Sequence, residues 1–312
     1  MTNFLYDVYN KESKERFMST LDLSTYPPRW WERMFEKSAE FEKYRGKDLY
    51  SFTTSEILEF YKMQEYKTLS PLIVANTNLI KYGQWAYNEH LIVDGQNHFE
   101  ELNNDSLTEC ISKIKLKNSL LLGSDFTKFL MEMYNDQDKF VFYCLYEGIK
   151  GKGFEEILRL RLEDIDTKTK TVKLPTRTMK VSTGFISICE LADKETTYIT
   201  LSESGFELGL KPTDYFGIYK NKSNASSNAL TRSIYSTISR NIQYFRDNSS
   251  ITSKSIRDSG LIDSLNARAK SLNMTVYDML LEQNHCQDII DKYQFNLDVR
   301  YRFCTEYSDY LV

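Results

Sequence analysis

Only 12 glycines and 5 prolines punctuate 312 residues. Glycine supplies the positive backbone angles of tight turns and proline presets their corners, so a chain this poor in both is ill suited to many short hairpin-linked strands. Helices are expected to dominate. With 41% hydrophobic and 27% charged residues a packed core is available, and at ~100 to 200 residues per domain the length predicts two domains. We place the boundary within 109–125, where apolar periodicity fades into lysines and Gly123-Ser124-Asp125, giving domains 1–115 and 116–312.

A net charge of −4 excludes attraction to nucleic acid or membrane through bulk charge, so any such affinity must be local. Cys110, Cys144, Cys189, Cys286 and Cys304 are odd in number, far apart and without a C-x-x-C pair, which argues against a disulfide framework or zinc knuckle. Reduced thiols, a polar start from Met1 to Lys11 and no apolar run of ~20 residues predict a cytoplasmic protein without a membrane partner. His90, His98 and His285 are too scattered for a helical metal pair, and Gly148, Gly151 and Gly153 lack the G-K-[S/T] of a phosphate loop. No metal or cofactor is expected. Glu155-Glu156 and Glu163-Asp164 read as a solvated helical face, and Trp30-Trp31 as packing.

Phe4 to Leu21, with Phe4, Leu5, Val8, Phe17 and Leu21 apolar, predicts a helix, and a second opens at Pro27-Pro28. Thr53 to Glu56 supplies cap hydroxyls before Ile57, Leu58 and Tyr61, and Ser70-Pro71 repeats the start signal. The helix after it can bury Leu72, Ala75, Leu79, Tyr82 and Ala86, which leaves Thr77, Lys81, Gln84 and Asn88 as a hydrogen-bonding outer face. Ser124 is expected to cap another helix. Phe140 to Tyr146 and Phe154 to Leu162 predict two helices meeting at a glycine turn. Thr171 to Leu174, Phe185 to Cys189 and pieces of Thr197 to Tyr219 read as strands, Asn221 to Asn228 as a loop, and the remainder as helix.

Charge is concentrated late in the chain, where Lys220, Lys222, Arg232, Arg240, Arg246, Lys254 and Arg257 face the single carboxylate of Asp247. Within that segment Leu230, Ile234, Ile238, Ile242 and Phe245 form one helical stripe, and Arg232, Ser236, Arg240 and Gln243 another. Arginine can bond bidentately to guanine and glutamine to adenine, while flanking lysines neutralise phosphates. The plain alternative is a solvated charged face.

The block CLYEGIKGKGFEEILRLRLEDI, Cys144 to Ile165, resembles the first box of tyrosine recombinases and phage integrases, T-G-[L/M]-R-x-x-E-[L/I]-x-x-L-x-W-x-D-[I/V], through Glu156, Ile157, Leu160, Leu162, Asp164 and Ile165. Thr53 to Asn97 is similar to that family's helical core-binding domain, Thr171 to Ile188 to its lysine-bearing hairpin, and Lys254-Ser255-Ile256-Arg257 to its H-x-x-R box. The resemblance implies a mainly α fold with a small inserted antiparallel sheet, two domains that grip duplex DNA, and a recognition helix over Asn228 to Arg246. The N-terminal segments Asn3 to Asn10 and Pro27 to Glu32 resemble recombinase-fold repressors of SP-beta-type Bacillus prophages.

In the recombinase family a tyrosine attacks the scissile phosphate, arginines and a histidine or tryptophan stabilise the oxyanion, and a lysine protonates the leaving hydroxyl. Here Lys150, Lys152 or Gly153 stands at the first arginine, Arg177 or Lys180 at the lysine, and Lys254 at the histidine of the box that keeps Arg257. Alignment through Phe295 as the later histidine or tryptophan puts Cys304 at the nucleophile, with Tyr293, Tyr301, Tyr307 and Tyr310 nearby. The expectation is a DNA-binding repressor without recombinase activity. It would maintain lysogeny at prophage operator elements, with a regulatory phage protein or peptide as a possible further partner, and its cations at 150, 152, 177, 180, 254 and 257 would serve as phosphate anchors. The alternatives are an integrase with a rearranged site and a module that binds no DNA.

Overall fold

The computed structural model describes residues 8–22, 28–202, 205–222, 226–246 and 250–312. Phe4, Leu5, Pro27, Asp247 and much of the N-terminal segment resembling prophage repressors lie outside these residues, as does part of the expected loop 221–228. The chain divides into two compact units, Met1–Leu116 and Lys117–Val312.

The first unit is helical: α1 (Lys11–Ser19), α2 (Pro28–Arg45), α3 (Thr54–Met63), α4 (Leu69–Asn88) and α5 (Asn104–Thr108), with α6 (Lys113–Ser119) running across the division. The first helix is shorter than expected, because Asn10 takes a left-handed conformation immediately before Lys11. Thr53 and Glu56 close a reciprocal capping box on α3. In α4 the cap position is Thr68, so Ser70 and Pro71 lie inside the first turn, where a missing amide costs nothing. An aromatic core of Phe17, Trp31, Phe35, Tyr61 and Tyr82 joins the helices, and Trp31 meets Phe17 edge-on at 4.7 Å. Beneath it lies a fully buried ion cluster: Lys14 Nζ is 2.8 Å from Glu42 and 3.2 Å from Asp48.

The second unit opens with α7 (Gly123–Glu132), α8 (Asp136–Tyr146) and the short α9 (Glu155–Arg159). An antiparallel sheet follows, β1 (Ile165–Asp166), β2 (Thr171–Lys173) and β3 (Thr178–Lys180), with Val172 opposite Met179. After α10 (Thr183–Lys194) come two small antiparallel pairs, β4 (Thr197–Ile199) with β5 (Glu207–Gly209) and β6 (Lys211–Pro212) with β7 (Lys220–Asn221). The unit closes with α11 (Ser227–Arg246), α12 (Ser253–Leu272), α13 (Val276–Leu281), α14 (Gln287–Tyr293) and α15 (Arg300–Glu306). Phe140, Val141, Phe142, Cys144 and Leu145 are all fully buried, so α8 is apolar around most of its circumference and becomes the axis on which α10, α11 and α12 pack.

Two expectations fail here. Phe185 to Cys189 is helix, not strand: Ser182 caps Phe185 N–H, and Phe185, Cys189 and Ala192 share the buried face of α10. A five-residue, largely apolar run such as Phe-Ile-Ser-Ile-Cys does not distinguish the two states. Ser124 is not a cap, since α7 starts at Gly123, whose N–H donates to Asp263 at 2.7 Å. Among the described residues no helix is long and apolar enough to cross a membrane.

Gly260 lets α12 lie directly on α8. A Cβ there would sit 1.8 Å from the Tyr146 carbonyl oxygen, so Gly260→Ala must push the two helix backbones away from each other. It is expected to cost about 2–3 kcal/mol, read as a lowered urea midpoint; an unchanged midpoint would show that the close approach is not required.

Candidate nucleic-acid interface

Leu230, Ile234, Ile238 and Ile242 turn one face of α11 into the core. Arg232, Ser236, Arg240 and Gln243 are exposed on the other, and Arg240 Nε donates to the Ser236 carbonyl at 3.2 Å. The same side exposes Tyr235, Ser239 and Tyr244, which charge-based reading had passed over. The Tyr235 ring stands edge-on to Phe154, 4.6 Å between centroids. On the other flank the Lys222 ammonium lies 3.3 Å from the Tyr198 ring centroid. Burial first, and then the nearby Arg240 charge, push Lys222 down to about 8.

The other cations of this segment are engaged within the fold. Lys220 Nζ donates to the Asp193 and Glu195 carbonyls at the end of α10, and Arg246 pairs with Glu132. In the first unit Thr77 and Gln84 are exposed on α4 and Lys81 is half-buried. Thr77 donates its hydroxyl to the Ile73 carbonyl, and Gln84 donates to Asn88.

A second cluster forms around Glu156. Positive φ at Gly148, Gly151, Gly153 and Phe154 coils the 148–154 turn, so that Lys150 N–H donates to Glu156 at 2.9 Å. Arg177, on the hairpin, donates through both terminal nitrogens to Glu156 and through one of them to the Gly148 carbonyl. Its Nε is buried without a hydrogen-bond partner. Arg257 lies within electrostatic reach of Arg177, Tyr293 and Glu156, and of Lys150. Burial is the main influence lowering the pKa of Arg257, and of Lys150. Arg177 and Arg257 thus share Glu156, while Asp258 is the carboxylate acting on both Arg257 and Lys150.

The hairpin alternatives separate cleanly. Arg177 joins this cluster, whereas Lys180 is exposed and lines a different cleft of about 560 Å³ with Arg268 and Lys292. Lys152 is exposed on the turn that packs against α11. Lys254, at the histidine position, is tied to Asp258 at 2.6 Å, and Asp258 also accepts the Tyr307 hydroxyl at 2.8 Å.

Tyr293, one of the four C-terminal tyrosines, lies within electrostatic reach of Arg257. Phe295 packs edge-on against Phe303 at 5.1 Å, and burial pushes the Cys304 thiol up to about 11. Tyr293 is 1% exposed. Its hydroxyl donates to the Tyr146 carbonyl at 2.8 Å and lies 3.2 Å from the Ser264 hydroxyl, and burial above all holds it far above the ordinary phenol range.

A helical first unit, followed by a helical unit with a small antiparallel sheet and an arginine–tyrosine cluster, defines a tyrosine-recombinase-like protein. The comparisons agree: the family descriptions "MrpR, N-terminal core-binding domain" and "MrpR, C-terminal catalytic domain" match residues 8–88 and 122–310. The chain belongs to the MrpR family. It is also similar to the SPbeta prophage-derived uncharacterized protein YopR of Bacillus subtilis strain 168, 24% identical over 323 residues that cover 93% of this chain and 96% of the relative.

Proposed function

We propose that this protein binds duplex DNA sequence-specifically without cutting it, as a cytoplasmic repressor that keeps a prophage silent at its operator elements. The observation that carries this reading is the contrast between its two surfaces. On α11, side chains able to read bases are exposed, while the Tyr293 hydroxyl is held in the core against the Tyr146 carbonyl. An attacking phenol must reach phosphorus and lose its proton to a base, and this one is closed to solvent. Loss of a single oxyanion donor costs about 3–4 kcal/mol of transition-state stabilisation. Here Lys150, Lys152 or Gly153 stands for one arginine, the lysine at the histidine position is ion-paired, and the hairpin cation of the cluster is a guanidinium that cannot donate a proton near neutrality. Arg257 and Lys150 retain charge for holding a phosphate that is not cleaved. Similarity to a prophage-derived protein supports the prophage assignment, and a phage protein or peptide acting on the repressor would supply its release.

In a mobility shift with fragmented prophage DNA, retention of particular fragments that weakens as salt rises is expected. A nicked suicide duplex should give no covalent adduct on a denaturing gel, and Tyr293→Phe should bind as the parent does. An adduct that disappears in Tyr293→Phe would establish a strand-transferring enzyme instead, the reading favoured by the proximity of Tyr293 to Arg257. Absence of any fragment preference would remove the repressor.

A further inference from the structure

We infer that α11 carries two kinds of DNA contact on three strips: a central strip, Arg232, Ser236, Ser239 and Gln243, that reads base edges, and two flanks, Arg240 with Lys222 and Tyr235 with Lys152, that grip the two backbones. This rests on the proposed DNA binding and goes beyond it by separating the specificity residues from the anchors.

The division follows from helical geometry. At about 100° per residue, Ser236, Ser239 and Gln243 fall within about 40° of Arg232, whereas Arg240 lies about 80° to one side and Tyr235 about 60° to the other. A helix with its side chains is ~10–12 Å across and the major groove is ~12 Å wide, so a helix inserted there fills it. Its central strip meets the base edges and its flanks meet the phosphate walls.

Both flanks are braced against neighbouring elements. Tyr235 stands against Phe154, and the Thr231 hydroxyl donates to the Gly153 carbonyl at 3.0 Å. The coiled turn therefore supports this flank and presents the exposed Lys152 beside it. On the opposite flank Lys222 stacks on Tyr198, and the Tyr198 hydroxyl is fixed by buried Asp138 at 2.8 Å. Arg240 lies within electrostatic reach of both Lys222 and Tyr198. Fixed groups of this kind suit phosphates, whose positions vary little with sequence.

The experiment selects duplexes from a random-sequence pool with the full chain and with four variants, then measures affinity for the selected duplex across salt concentrations. Arg232→Ala and Ser239→Ala are expected to relax one base position each, Arg232→Ala with a loss of about 5- to 150-fold. Arg240→Gln should select the parent sequence, bind all duplexes more weakly and lower the salt slope by about 1. Tyr235→Phe should also keep the selected sequence, losing about 2- to 12-fold with no change in slope, because an uncharged hydrogen bond is removed. A changed sequence in the Arg240 or Tyr235 variant, or an unchanged one in both Arg232 and Ser239 variants, overturns the division. Failure of the parent chain to select any sequence would instead defeat the DNA-binding reading.

Discussion

Glu156→Ala is expected to cost about 3–5 kcal/mol, because it leaves the guanidinium of Arg177 buried without its counter-charge. The side chains of Arg177 and Glu156 are only 11% and 7% exposed, so water cannot replace the lost carboxylate. Arg257 makes the loss worse, since its charge also lies within reach of Arg177. The same carboxylate accepts Lys150 N–H and, through Arg177, holds the hairpin to the 148–154 turn. Denaturation of the second unit should therefore begin at much lower urea. Adding Arg177→Met should recover most of the loss, as removing both members of a buried pair is far milder than removing one. A single-variant loss below ~1 kcal/mol would place this pair in the weak class of solvated surface bridges.

In the first unit Lys14→Ala is expected to be as costly, about 3–5 kcal/mol, since it strands two carboxylates in a closed core. Lys14 also donates to the Tyr9 carbonyl at 2.6 Å, so α1 should loosen with it. The cluster has a pH signature. Burial first, then the Asp48 charge, raise Glu42 from 4.5 to about 7, against the opposing pull of Lys14. Between those values the folded state binds more protons than the unfolded one, so stability is greatest below the unfolded pKa and falls as pH rises through the folded one. The size is on the order of 3 kcal/mol at most. Urea midpoints should decline from pH 5 to 7.5 in the parent chain and lose that component in Glu42→Gln. Parallel pH profiles for the two proteins would refute the assignment to Glu42.

The helical content, the buried stripe of α11 and the exposed residues opposite it were legible because a helix repeats its burial every three or four residues. That periodicity is a local property and survives in the linear text. Phe185 to Cys189 was misread because a short, largely apolar run carries neither period, and packing against α8 accompanies its helical state. The anchors Lys220 and Arg177 looked alike as cations in the sequence. Their difference from Arg257 lies in partners distant along the chain, the α10 carbonyls for one and Glu156 for the other. No spacing rule announces such partners. Among Tyr293, Tyr301, Tyr307 and Tyr310 the sequence offers no choice for a related reason: which of them lies near Arg257 depends on how the segment after α12 folds back.

From the amino-acid text alone come the helical class, the concentration of positive charge between residues 220 and 257, and the order of the recombinase-like boxes. All three depend on composition or near-neighbour spacing. Which cations are neutralised, which tyrosine approaches Arg257 and how deeply its hydroxyl is buried were decided by tertiary structure. Desolvation and ion pairing act over a few ångströms in space, and the groups concerned are as much as 147 residues apart in the chain.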